Sequence, residues 1–466
     1  MLIQTDLKTN VDFLDKELNR AENFDIIRRD YQIGSRAVCL YYIDGFIKDY
    51  ILEGILFSFG QNTTDDFTNI RSLTESILPY SEISYETDSV DICDQILSGN
   101  VCFMADGYTE AVMIDARLYP SRSVEEPETD KVLRGARDGF VESLIENTAM
   151  IRRRIRDKKL VMRSFTIGTK TKTDVVLCYL DGEADLKLVT DLSAKLSHTH
   201  VKALTMAQES VAELLIKSSF INPFPKIRYT ERPDVCAASL LEGKVAILTD
   251  TSPSVMLLPT SLFDFAQEAD DFYFPPVVGT YMRLSRFIIF TLTVFLIPTW
   301  FLLVNHPEYI PKWLDFMRIS EPNNVPLILQ ILIMEIAVDG LRLASINTPS
   351  MLSGSFSIIG ALVLGEFGVK AELFVPEVIL FGAFVAMANY TQASFELGYA
   401  FKFTRLVILI LTAVFDIWGY LAGIVFLILL VAFNKTAGGK SYLYPFIPFN
   451  RKAFVRVFLR PKMEKE

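Results

Sequence analysis

The run FIIFTLTVFLIPTWFLLV, from Phe287 to Val304, contains 18 residues without a charge. A helix of this length nearly covers the ~30 Å hydrocarbon core of a bilayer. Alone, it could be the buried core helix of a soluble protein, but four more apolar runs follow it, at Val325–Ile346, Ser353–Phe374, Pro376–Gln392 and Phe403–Phe433. The series predicts an all-α polytopic membrane domain over residues 284–433.

The composition of the whole chain agrees with a membrane protein that has a polar front half. The 466 residues are 50% hydrophobic and 22% charged, which excludes uniform disorder. The net charge of -10 divides into -14 for residues 1–271 and +4 for residues 272–466. The acidic front half argues against nucleic acid as a partner, and the mildly basic apolar rear half favours a lipid bilayer.

The sequence gives no sign of catalytic or metal chemistry. The five cysteines lack CxxC spacing, so they are expected to be buried hydrophobes of a reducing compartment. His198 and His200 have no third ligand nearby, and phosphate-loop, nucleophile-elbow and HExxH motifs are absent. The first 20 residues are polar and acidic, unlike a secretory signal, so nothing suggests export of the front half. We expect no enzyme activity, no cofactor and no metal.

The front half is internally duplicated. VCLYYIDG at 38–45 resembles VVLCYLDG at 175–182, each an apolar strand that ends in an Asp-Gly turn. A second series of matches lies 144 residues apart throughout and includes Pro79 with Pro223, Tyr85 with Tyr229, Gly99 with Gly243 and Asp106 with Asp250. The duplication predicts two similar α/β subdomains, at 25–125 and 164–271, each a sheet covered by helices. Residues 1–24 are then an N-terminal extension.

A basic linker helix is predicted over residues 126–163, between the two subdomains. It ends in a cluster of four arginines, Arg152, Arg153, Arg154 and Arg156. Cations at a helix C-terminus favour the helix dipole, so the cluster could simply be solvated. It could also be a docking patch for an acidic neighbour or for lipid headgroups.

The positive charges predict the orientation of the membrane domain. Arg283 and Arg286 precede the first run, and the tail at 434–466 has eight Lys and Arg against two Glu. The positive-inside rule puts both ends in the cytoplasm, so the number of crossings must be even. The sequence shows five runs. We expect Phe403–Phe433, which would measure ~46 Å as one helix, to turn back near Asp416. The alternative is that Val325–Ile346 is re-entrant. If the last run turns back near Asp416, the loop 306–324 would lie outside.

The run Val325–Ile346 carries Glu335, Asp339 and Arg342 on one helical face. Three charges in a membrane cost roughly 8–10 kcal/mol, whereas the apolar residues of the run return roughly 5 kcal/mol. The helix therefore needs a partner helix, a water-filled cavity or a subunit interface. The charges could form an internal pair between one acid and Arg342, or they could line an ion path.

Three further charges complete the candidate polar face of that path. Glu366 and Lys370 are spaced i, i+4 and are expected to neutralise each other. Asp416 is the acid in the middle of the last run, where we expect it to cap the turn.

Several long motifs resemble one known family. They are RGARDGFVESLIENTAMIRRRIRD (134–157), ERPDVCAASLLEGKVAILTDTSPSVMLLPT (231–260), PPVVGTYMRLSRF (275–287), PEVILF (376–381) and YLYPFIPF (442–449). Together they look like the A-subunit family of bacterial spore germinant receptors, the GerA type. The resemblance implies the inner membrane of the spore, a two-part N-terminal region facing the spore core, and other germination membrane proteins as partners. It also implies homo-oligomers that pass ions. The family's basic residue three positions after Glu335 is replaced by Val338, which favours a relay or amplifying role over direct nutrient sensing.

The sequence therefore predicts a membrane subunit of an oligomeric ion-conducting germination complex. Two alternatives remain. One is a scaffold without a pore, whose membrane charges are packing pairs. The other is a solitary transporter, which is weaker because the membrane half shows no inverted repeat.

Overall fold

The computed structural model describes the chain except for residues 48, 61–68, 78–81, 118–132, 217–220, 320–323, 348–359, 361, 393 and 461–466. The described residues form two compact units. The first comprises Met1–Ser218 and Lys226–Thr260, and the second comprises Ser219–Pro225 and Ser261–Glu466.

The first unit contains two α/β subdomains with the same order of elements. The first subdomain consists of α1 (Leu7–Glu17), β1 (Ile26–Ile33), β2 (Arg36–Ile43), α2 (Asp49–Gly60), α3 (Ile70–Ile77), β3 (Ile83–Glu86), α4 (Ser89–Leu97), β4 (Val101–Ala105) and β5 (Ala111–Ile114). The second consists of α5 (Leu144–Arg154), β6 (Leu160–Ile167), β7 (Thr173–Leu180), α6 (Leu186–His198), α7 (Ala207–Leu215), β8 (Arg228–Thr230), α8 (Pro233–Leu241), β9 (Val245–Thr249) and β10 (Val255–Leu258).

Each subdomain is built on a five-stranded antiparallel sheet. The strand orders are β1-β2-β4-β5-β3 and β6-β7-β9-β10-β8, so the two sheets have the same topology. The central strands β4, β5 and β10 are apolar along their whole length, and β2 and β7 are buried except at their first two residues, because both faces of each sheet are covered. In β2, Val38 and Leu40 pack with α2 and α3, whereas Cys39 and Tyr41 pack with α1 and α4. The predicted duplication and the predicted sheet covered by helices are confirmed.

The duplication extends further along the chain than the repeated motifs show. Asn10 in α1 hydrogen-bonds both backbone groups of Gln4, and Asn147 in α5 bonds those of Val141 in the same way. The helices α1 and α5 are therefore equivalent first helices of the two repeats. They lie in the segments 1–24 and 126–163 that the sequence suggested were an extension and a linker. Within 126–163 the structure describes one helix, Leu144–Arg154, and β6 begins at Leu160.

The second unit is helical in its described part. Its elements are α9 (Asp270–Tyr273), α10 (Pro276–Asn305), α11 (Leu327–Asn347), α12 (Gly368–Lys370), α13 (Pro376–Tyr390), α14 (Phe395–Ala432) and α15 (Arg451–Phe458), with 3-10 turns at Leu262–Ala266, Pro307–Tyr309 and Lys312–Met317 and a π-helical turn at Leu362–Phe367. Two of the described helices, α10 and α14, are long and apolar enough to cross a membrane. α11 has the length to cross but carries three charges. The run Ser353–Phe374 lies partly outside the described residues.

The helix α14 is a hairpin of two arms, residues 395–415 and 417–432, joined at Asp416. Asp416 has φ 55° and ψ -135°, which no helix contains. A Cβ on Gly423 would lie 3.0 Å from the Ile408 Cα, although the two residues are 15 positions apart. The arms therefore run side by side in opposite directions, and glycine permits their close approach. The predicted turn near Asp416 is confirmed.

The hairpin packs along α10. In the first arm, the Phe401 ring lies 5.4 Å from the Phe290 ring, and Arg405 donates a hydrogen bond to the Thr293 carbonyl at 2.8 Å. At the tip, His306 contacts Asp416. The first arm thus runs parallel to α10, and the second arm runs in the opposite direction.

Candidate functional site

A cluster of buried charges joins α11 to the first arm of α14. Arg405 donates two hydrogen bonds to the Glu335 carboxylate, at 3.0 Å from Nε and 2.7 Å from Nη2. Lys402 lies 3.2 Å from Glu335 and also hydrogen-bonds Asp339. The side chains of Arg405 and Lys402 are only 1% and 7% exposed. Because the two helices are antiparallel, the acid nearer the start of α11 pairs with the cation nearer the middle of α14.

Arg342 takes no part in these ion pairs. Its guanidinium lies over the rings of Tyr390, Phe395 and Tyr399, at 5.6, 4.8 and 5.1 Å from their centroids. The possible internal pair between an acid of α11 and Arg342 is therefore wrong. The acids turn to the neighbouring helix, where two cations one helical turn apart match their spacing.

Sequence reasoning missed Lys402 and Arg405. Both were visible as KFTR at residues 402–405, at the start of the last apolar run. Two cations at the edge of a membrane run need partners as much as two acids do. Pairing the charges of one run with those of another, instead of within one run, would have found them.

The helix α11 finds its partner within its own chain. Two carboxylates face two cations, and Arg342 lies in an aromatic box, so the acids need no second subunit to neutralise them. The sequence left open whether a partner helix, a water-filled cavity or a subunit interface covers these charges. The structure shows a partner helix.

The charge cluster borders a cavity of about 30 Å³. That volume accommodates a water molecule or two and no hydrated ion. Its walls combine the charged groups with apolar side chains such as Trp300, Val338 and Phe381. The side-chain oxygen of Asn389, also on the wall, has no hydrogen-bond partner among the described residues. The cavity is thus polar enough to hold water but too small, in this arrangement, to conduct.

The other expected path residues lie apart from this cluster. Glu366 and Lys370 pair with each other at 2.5 Å, and both side chains are more than half exposed. Asp416 lies at the hairpin tip, where His306 donates a hydrogen bond from Nε2 to its carboxylate at 2.7 Å. This bond raises the pKa of His306, which lies just beyond the end of α10.

The four arginines at the end of α5 and just beyond it do not share one surface. The Arg152 side chain is 0% exposed and bonds the Asp25 carboxylate at 2.8 and 3.1 Å, which fastens the first subdomain to the second. Arg154 lies 2.6 Å from Asp138, and Arg153 and Arg156 are exposed. Arg152 is therefore excluded from any docking patch, because the helix turns it toward the joint between the subdomains. Nor do the described residues bring together three His, Cys, Asp or Glu side chains that could hold a metal ion.

Comparison with known proteins identifies the family. The model of the Bacillus/Clostridium GerA spore germination protein matches residues 12–466. The chain is 38% identical to stage V sporulation protein AF of Bacillus subtilis (strain 168), over 97% of this chain and 92% of that protein. It is 29% identical to spore germination protein KA of the same organism, over 97% and 83%.

Two further matches are a membrane protein and a solved N-terminal domain. The chain is 32% identical to the uncharacterized membrane protein YfkQ of Bacillus subtilis (strain 168), over 94% of this chain and 85% of that protein. A crystal structure of the N-terminal domain of the A subunit of the Bacillus megaterium spore germinant receptor GerK3 matches 56% of this chain and 96% of that chain, with 27% identity and a TM-score of 0.43. With the helices and the relatives taken together, the chain is a membrane protein that belongs to the GerA family of spore germination proteins.

Proposed function

We propose that this chain is a membrane subunit of a bacterial spore germination complex, in which it forms or gates an oligomeric path that releases ions during germination. It would act in the spore inner membrane, with the N-terminal unit and the tail facing the spore core. Six crossings satisfy the even number that this orientation requires. They are the four apolar runs predicted before the last one and the two arms of α14.

The observation that carries the proposal is the charge cluster of α11 and α14. Apolar side chains of similar volume would hold two membrane helices together at least as well as buried ion pairs do. Ionisable groups inside a membrane domain usually mark a path for ions or protons, because they are costly there. In this cluster the ionisable groups border a polar cavity that is small enough to be closed to ions.

The cluster suggests how such a path would be gated. While Lys402 and Arg405 hold Glu335 and Asp339, the carboxylates have no free charge to offer a passing cation. Separation of α11 from α14 would enlarge the cavity and turn the two acids toward it. The resting arrangement described here is then the closed one.

The experiment removes charge in matched pairs. The double variants E335Q/R405Q and D339N/K402Q remove both charges of a pair, so they should fold better than single variants that leave a charge buried alone. We expect altered ion flux from vesicles containing the purified protein and altered ion release from germinating spores, at normal protein level. The control is E366Q/K370Q, which removes one exposed pair outside the cluster and should behave as the unmodified protein does.

A second function, a scaffold that recruits germination partners without conducting, is favoured by one observation: the charges are already paired within the chain. Packing pairs should tolerate joint neutralisation. Unchanged flux and release in both double variants, together with normal recruitment of partner proteins, would support the scaffold and remove the cluster from the mechanism.

A further inference from the structure

The tail helix α15 packs against the first turns of α10. The Phe458 ring lies 4.7 Å from the Phe287 ring. Arg283 donates a hydrogen bond to the Arg456 carbonyl at 2.7 Å, and the Arg460 backbone N–H donates one to Thr280 at 3.1 Å. The helix is therefore fixed beside residues 280–287 of α10.

This position corresponds to the edge of the hydrocarbon layer. Phe287 is the first residue of the 18-residue uncharged run of α10, and Arg283 and Arg286 lie just before it. Phe458 contacts Phe287 next to Arg283, so it lies at the depth of the lipid headgroups. The depth of α15 thus follows from its contacts with α10.

The surface of α15 that faces away from α10 is both apolar and basic. Val457 is 7% exposed and Phe454 and Phe458 pack in the aromatic cluster, so they form the inner face. Arg451, Lys452 and Val455 are exposed on the outside of α15, and Ile447 and Phe449 before the helix and Leu459 after it are exposed as well. We call these six side chains the tail surface; the Phe449 ring also contacts the Phe454 ring, at 5.6 Å between centroids.

Neither water nor the hydrocarbon layer alone suits this surface. Phe449 is 66% exposed and Ile447 is 53% exposed, which is unfavourable in water. Arg451 and Lys452 are exposed beside them and need polar partners. Apolar side chains next to cations, at headgroup depth, are the pattern of helices that lie in the membrane interface and bind anionic lipids.

We infer that the tail surface is an anionic-phospholipid site, in which Ile447 and Phe449 enter the acyl boundary while Arg451 and Lys452 bind the phosphates of headgroups. The site anchors the end of the chain beside the first crossing. Each cation near an anionic membrane surface strengthens binding about fivefold, so the two together account for roughly 25-fold.

The test uses the full chain in nanodiscs and a fluorophore at F449C that responds to its environment. The native cysteines described here are buried, and burial raises the pKa of Cys93 and Cys178 to about 12, so background labelling should be low. In phosphatidylcholine nanodiscs with increasing phosphatidylglycerol, we expect the fluorophore to move into the acyl boundary, where brominated lipid chains quench it. At the same phosphatidylglycerol fraction, R451Q/K452Q should lower the ratio of inserted to exposed fluorophore roughly 25-fold.

Two controls establish that the signal depends on the tail cations and on an anionic bilayer. K170Q/K202Q removes two exposed lysines of the N-terminal unit and should leave the titration unchanged. Inorganic phosphate added to phosphatidylcholine nanodiscs should have no effect, because it offers no acyl boundary. Equal titrations for R451Q/K452Q and the unmodified tail would overturn the inference. So would a fluorophore that aqueous iodide quenches in every lipid, or one that is shielded only by contact with another protein.

Discussion

Replacing Asp25 by alanine should sharply destabilise the N-terminal unit, because it leaves Arg152 buried without its counter-charge. Arg152 is fully buried, and Asp25 accepts two of its hydrogen bonds. The remaining partners are neutral: the Leu160 carbonyl at 3.2 Å, the Asp157 carbonyl at 3.5 Å and the Asn23 side chain at 3.3 Å. Neutral acceptors do not compensate a full charge removed from water.

The magnitude follows from the burial of the pair. Removing one partner of a buried ion pair costs about 3–5 kcal/mol, against a total stability of about 5–15 kcal/mol for a domain. Arg154 lies in the same helix as Arg152, and its pair with Asp138 is a control because the two side chains are 22% and 34% exposed. For R154Q we expect a loss of at most ~1 kcal/mol.

The assay is urea unfolding of residues 1–260, followed by far-UV circular dichroism. Tryptophan fluorescence would report nothing, because Trp300, Trp313 and Trp418 all lie beyond this fragment. D25A should lose about 3–5 kcal/mol, and its transition should separate into two, because Asp25 and Arg152 join the subdomains. The apolar double variant D25L/R152M should recover most of the loss. A D25A loss no larger than that of R154Q would refute the reasoning.

Three further predictions concern the hairpin tip, the contact between its arms and the cysteines. The hydrogen bond to Asp416 raises the pKa of His306. The stability that this bond contributes should therefore be fully present below the pKa of His306 in the unfolded chain, about 6.5, and should be lost as the pH rises through the pKa in the folded chain. Melting temperatures from pH 5.5 to 8.5 should show this loss, and H306Q should remove it. G419A places a Cβ 1.8 Å from the Leu411 carbonyl oxygen and should lower the free energy of unfolding by about 1–3 kcal/mol or more. The control G340A, whose Cβ would have no atom within 4 Å, should lower it little. Thermal unfolding in detergent distinguishes the two variants. The five cysteines should react with a maleimide only after denaturation, as mass spectrometry would show, because burial raises their thiol pKa values.

The parts of the fold that were predictable depend on local patterns. The uncharged run that starts at Phe287 lies within α10, and the excess length of the last run, with Asp416 in its middle, predicted the hairpin. The duplication was readable because VCLYYIDG matches VVLCYLDG and because a second series of matches shares one offset. Its first helices were not, because α1 and α5, aligned at the 137-residue offset of the first pair, share only Leu7 with Leu144 and Asn10 with Asn147.

The parts that were not predictable depend on which surfaces meet. Spacing within α11 puts Glu335 and Asp339 on one face but does not say which helix covers that face. Lys402 is more than sixty residues away in the chain, and only the packing of the helices brings it to Asp339. Arg152 shows the same limit, since four basic positions close together look alike in sequence although one of them points inward.

The spacing of the charges between α11 and α14 also restricts how these helices can slide past each other. If α11 shifted by one turn along α14 in one direction, Asp339 would reach Arg405, but Arg342 would then approach Lys402, and like charges would repel. A shift in the other direction would move Glu335 away from Arg405, so that Lys402 would be its only cation and Arg405 would have no anion. Both neighbouring registers are penalised. A large movement between the two helices should therefore be a separation, a rolling or a tilting, not a slide along their axes.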